Sequence, residues 1–123
     1  MRRVSCVPLE RLQIIDDPDS LCVPAVHRGL VFVFAAWSGP AVLGFKLFTK
    51  VIAEMETSAL DVFVPDIDRL SERHNAVLYG NGVFQPGGNG ETMWIKEGVI
   101  IAREYAARAG VEIIRQHTID LLT

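Results

Sequence analysis

Residues 30–36 (Leu30, Val31, Phe32, Val33, Phe34, Ala35, Ala36) form an unbroken apolar run rich in β-branched and aromatic types. A run without polar alternation fits a strand covered on both faces, at the centre of a mainly parallel sheet flanked by helices. After Trp37, Ser38, Gly39 and Pro40 the period changes. Phe45, Phe48, Ile52 and Met55 fall on one helical face, while Lys46, Thr49, Lys50, Glu54 and Thr57 fall on another. This predicts a helix over 41–57, with Ser38 as its N-cap and Pro40 in the first turn, where a missing N–H costs nothing. Residues 60–64 read as a second apolar strand closed by Pro65, and 67–75 hold one or two helical turns. Residues 91–96 and 99–103 flank Glu97 and Gly98 as a hairpin, with Gly98 supplying a positive φ. Val111, Ile114, Thr118 and Leu121 mark a closing helix from about Gly110.

The N-terminal third is less patterned. Residues 4–9 suit a short strand with Pro8 near an edge. Asp16, Asp17, Pro18 and Asp19 read as a helix start, interrupted at Pro24. The element order is β-α, then β-α-β, a short helix, a β-hairpin and a helix.

Composition narrows the picture further. One hundred and twenty-three residues, half of them apolar, suit one domain over 1–123. The net charge of −3 gives no long-range attraction to a nucleic-acid backbone. No apolar stretch reaches the roughly 18–20 residues of a membrane helix, and no apolar segment follows Arg2 and Arg3 as a secretion signal requires. The expectation is a cytoplasmic protein that binds neither nucleic acid nor membrane. Cys6 and Cys22 have no metal-binding or CxxC spacing and are expected as two buried thiols.

The strand at 30–36, the Trp-x-Gly-Pro turn and the long helix together resemble the thioredoxin family, as does the hairpin 93–101 with its Lys96-Glu97-Gly98 turn. The resemblance runs over about 30–122. It implies a three-layer α/β/α domain with a four- or five-stranded mixed sheet. The departures fall at the redox centre. Ser38 and Ala41 stand where the family carries its nucleophilic and resolving cysteines, Phe32 where it carries a buried acid, and Gly90 where it carries a cis-proline. A thiol–disulfide enzyme needs a thiolate at the helix start and a second thiol to resolve the mixed disulfide, so no catalytic residue is assigned.

The resemblance implies instead a non-catalytic binding or assembly module that reuses the surface of Trp37, Ser38, Gly39, Pro40, Asn89 and Gly90. In the family's catalytic members these segments hold an extended peptide, partly through main-chain hydrogen bonds. The expected partner is a protein or peptide, and the same surface could serve a symmetric dimer. Trp37 is either a contact anchor or partly buried against the neighbouring loop. The rival reading is a small-ligand protein or enzyme in which Ser38 and helix N–H groups hold an anion or thiol compound. A nucleophilic serine would need a base, and His27, His74 and His117 show no spacing that supplies one. The glycine-rich stretch 80–90 lacks the lysine and following helix of a phosphate cradle. Asp66 and Asp68 read as turn residues rather than a cation site. No cofactor and no metal are expected.

Overall fold

A computed structural model describes residues 13–15, 21–55, 57, 59–70, 72–80 and 87–123, with main chain alone at 13–15 and 72–75. The strand expected at 4–9, the acidic helix start at 16–19, Cys6 and loop residues 81–86 lie outside the described residues.

Among the described residues, five strands form one mixed sheet in the order β1-β3-β2-β4-β5. They are β1 (Gln13–Ile15), β2 (Arg28–Phe32), β3 (Asp61–Pro65), β4 (Glu91–Lys96) and β5 (Val99–Tyr105). β1, β3 and β2 run parallel, with Leu30 beside Val62 and Ile14 beside Val64. β4 is antiparallel to β2 and β5 to β4. The helices are α1 (Gly39–Glu54), α2 (Glu72–Tyr79), α3 (Ala106–Ala109) and α4 (Val111–Leu122), with 3-10 turns at Val23–Ala25 and Ile67–Arg69. No described helix is long and apolar enough to cross a membrane.

The two-residue side-chain period of the strands divides the core in two. Leu30, Phe32, Val62, Val64 and Trp94 face α1 and α4, packing on Phe45, Phe48, Ile52, Ile114 and Leu121. Val31, Val33, Phe63, Met93 and Ile95 face the other way, onto Leu21, Val23, Leu78 and Tyr79. Both sheet faces are covered, which is the three-layer α/β/α arrangement that the unalternating strand at 30–36 requires.

Several expectations are corrected in detail. β2 ends at Phe32 rather than at 36: Val33 N–H makes the last bond to β4, at the Glu91 carbonyl (2.9 Å) where that strand begins, and Phe34 keeps only a bridge to Asp66. α1 starts at Gly39 and ends at Glu54. Thr49, placed by period on its polar face, is buried, with its hydroxyl donating to the Phe45 carbonyl (2.9 Å). Thr57 lies beyond the helix, buried, and donates to the Ile52 carbonyl (3.2 Å). Cys22 is exposed rather than buried. It adjoins the 3-10 turn whose Pro24 carbonyl abuts Gly98, at the opposite end of the sheet from Trp37.

Candidate functional site

The segment following β2 bonds through Ser38 N–H to the Ala35 carbonyl (3.1 Å) and passes directly into α1. Ser38 is the N-cap: extended in backbone, it accepts the Ala41 N–H at 3.5 Å, while Pro40 occupies the first turn. Its hydroxyl also donates to the Gly88 carbonyl. Ser38 is buried, and its hydrogen atom and one lone pair are both engaged. Neither histidine with a described side chain approaches it. His27 pairs with Glu97 at the hairpin turn (2.9 Å), and His117 with Glu104 (2.8 Å). Among the described histidines, none is placed to activate it.

Trp37 is 64 % exposed. Its indole N–H donates to Asp68 Oδ2 (3.1 Å), and Asp68 is itself placed by its own N–H donating to Asp66 Oδ1 (2.9 Å). The ring is therefore packed against the neighbouring loop at Gly88, as the partial-burial reading expected, and is otherwise open to solvent. A methyl group added at Gly88 would fall 2.7 Å from Trp37 Cη2 and 3.2 Å from Ser38 Cβ. Its φ of +69° adds a second reason for glycine at that position. Gly39 and Pro40, which follow Trp37, and Gly87 and Asn89, which flank Gly88, are exposed, as is Leu43 in the first turns of α1. The structure thus brings five of the six expected residues together, with Trp37, Gly39, Pro40 and Asn89 exposed on one rim and Ser38 buried at its base.

Gly90 is the exception, lying buried beneath that rim. Its Cα approaches Gly44 of α1, and its carbonyl accepts the Ala106 N–H (3.0 Å). Its φ is +73°, and the described residues contain no cis peptide bond. Proline fixes φ near −65°, so the main chain here has a different course from one built around a cis-proline. Below it lies Phe32, fully buried, with ring centroids 5.2 Å from Phe45 and 5.3 Å from Phe48. Phe32, which the resemblance sets in place of a buried acid, is part of an aromatic cluster.

Glu91 was missed by sequence reasoning. It is fully buried at the first position of β4. Its Oε1 accepts the Gly87 N–H (2.7 Å) and its Oε2 the Asn89 N–H (3.3 Å). On the same sheet face, burial first, then the negative charge of Glu91 and the neighbouring Tyr105, push the Tyr79 phenol well above its usual range. The available signal was an acid opening an otherwise apolar strand straight after a glycine-rich stretch. The described residues contain no group of three or more metal-ligating side chains.

A parallel β1-β3-β2 unit extended by an antiparallel hairpin, with a long helix starting at the end of β2, defines the thioredoxin fold. The chain is similar to thioredoxin from Malassezia sympodialis, with a TM-score of 0.68 at 16 % identity over 91 % of each chain. It is also similar to a cysteine-to-serine mutant of Entamoeba histolytica thioredoxin (TM-score 0.65, 17 % identity, 89 % of this chain and 98 % of that one). Mitochondrial thioredoxin 3 of Saccharomyces cerevisiae, in its oxidized form, gives a TM-score of 0.65 at 14 % identity, covering 89 % of this chain and 95 % of the other. Likeness at these identities establishes the fold alone. No protein-family model and no curated protein matches the chain.

Proposed function

We propose that this chain is a non-catalytic binding or assembly module that uses the rim of Trp37, Gly39, Pro40, Leu43, Gly87 and Asn89 to hold an extended protein or peptide segment. The observation that carries this reading is the state of the helix start. Where dithiol chemistry needs two sulfur atoms, this chain has a hydroxyl hydrogen-bonded to the Gly88 carbonyl and the methyl group of Ala41, above an aromatic cluster. What is left exposed is a tryptophan whose ring is fixed by Asp68 and Gly88, the kind of rigid aromatic that anchors interfaces. The engaged hydroxyl of Ser38 weighs against the rival reading, because it offers an anion or thiol compound no free donor.

Two measurements test the proposal. An insulin-reduction assay with dithiothreitol should show no rate above the uncatalysed background, and thiol-dependent turnover would overturn the non-catalytic part. Peptides selected from a random display library on the immobilised chain should bind at least tenfold more weakly to Trp37→Ala than to the unaltered protein. Equal binding would remove the rim from the proposal.

A further inference from the structure

Glu91 is an acid with no exposure to solvent and, among the described residues, no cationic side chain paired with it. A buried carboxylate is costly unless its oxygens are satisfied. Here each oxygen takes one main-chain N–H, from Gly87 and from Asn89. The main chain of the same residue bonds Val33 N–H at the end of β2. Glu91 therefore ties the segment 87–89 to the sheet from below, and Gly88, between its two bonded neighbours, is set against Trp37 and Ser38. Among the described side chains, the ionisable groups facing it are Tyr79 on α2 and Tyr105, its cross-strand neighbour on β5. Arg103, on the same sheet face, is turned to the end of α2, where it donates to the Leu78 and Val77 carbonyls.

We infer that Glu91 is the positioning residue of the Trp37 rim: its ionised carboxylate latches residues 87–89 in place, and neutralising it releases them. A carboxylate only accepts, whereas a protonated acid or a glutamine turns one donor toward an N–H that needs an acceptor. One of the two bonds is then lost and the other weakened. Gly88 has no side chain of its own, and the Ser38 hydroxyl on its carbonyl is then the one described tie left intact, so the segment loosens against the indole. The rim thereby has two states set by one buried charge, whatever the rim binds.

The test needs no partner, so its outcome is separable from that of the docking reading. In a pH titration of the isotopically labelled chain, the Glu91 side-chain carboxyl carbon and the Gly87 and Asn89 amides should shift with one common midpoint. As the carboxyl protonates, those two amides should exchange with solvent at least tenfold faster, while the Leu30 and Val62 amides of the sheet keep their rates. Glu91→Gln should show that same pattern at neutral pH, with an altered emission from Trp37, since the other tryptophan, Trp94, is buried. If the two amides ignore the titration of Glu91, the latch is overturned. It is equally overturned if Glu91→Gln leaves their protection intact, or accelerates exchange uniformly through the sheet. Should the variant fail to fold, the titration of the unaltered chain decides. Should the chain unfold before the carboxyl titrates, the variant at neutral pH decides.

Discussion

The behaviour of Ser38 follows from its two hydrogen bonds, and each has its own consequence. Ser38→Ala removes a helix cap, which costs about 1 kcal/mol, and frees the Gly88 carbonyl. A drop of that size in urea-derived stability is the expected outcome, with α1 amides near residue 41 losing protection first. Gly88→Ala acts differently: the added methyl meets the indole at 2.7 Å in a backbone conformation that alanine rarely adopts. A cost of about 1–3 kcal/mol is expected from that backbone strain, read by thermal melting, together with a changed Trp37 emission as the ring is pushed off the loop. Ser38 could be read from sequence because capping is local grammar: a hydroxyl residue, then Gly-Pro, then a helical period. Glu91 could not, because its role depends on a loop folding back over it, and only the folded chain shows that both of its oxygens are occupied. Gly90 was expected, from the resemblance, where the family carries a cis-proline, and its close approach to α1 shows only in the folded chain.

Long elements were visible in the pattern and short ones were not. The amphipathic period gave α1 and α4, and the Glu97-Gly98 turn gave the hairpin. β1 has three residues and α3 has four, too few for any period to show. β2 is shorter than its apolar run because the run continues past the last strand pairing into the turn. Within β5 the register shifts opposite Trp94 and Ile95: Trp94 pairs with Ala102 but Ile95 with Ile100, leaving Ile101 as the extra residue. Beyond this bulge, Arg103 lies on the α2 side of the sheet. There its guanidinium donates to the Leu78 and Val77 carbonyls (2.7 and 3.2 Å), filling orphan acceptors in the last turn of α2. Arg103→Met keeps the stem and removes both bonds. A loss of about 1–2 kcal/mol is expected, near the range for hydrogen bonds to a charged group, with α2 amides exchanging faster than those of α1. Equal effects on both helices would mean that Arg103 serves general packing rather than the end of α2.

At the scale of the whole molecule, the two sheet faces have different chemistry. The α1–α4 face is largely apolar from Phe32 to Trp94, and the buried polar side chains described there are uncharged threonines such as Thr118, which accepts the Trp94 indole N–H (3.1 Å). The opposite face carries the buried Tyr79 phenol, whose pKa is raised by burial, and so it should contribute a dependence of stability on pH in the alkaline range. A phenol whose pKa is raised by folding holds its proton in the native state, while in the unfolded chain it titrates near the ordinary tyrosine value of about 10. Below that value both states bind the proton and stability does not depend on this group. Above it, the unfolded chain releases a proton that the native chain retains, so stability falls as pH rises until the native phenol also ionises. The cause is burial first and the nearby carboxylate second, so the fall should begin near pH 10 and continue upward. Urea unfolding of the unaltered chain and of Tyr79→Phe, compared at intervals from pH 8 to about pH 11, isolates the contribution, because Tyr105 is the only other tyrosine. The variant should be the less pH-sensitive of the two above about pH 10. Parallel curves would show that the Tyr79 phenol is reached by solvent, and the packing of the α2 face against Glu91 would then have to be redrawn.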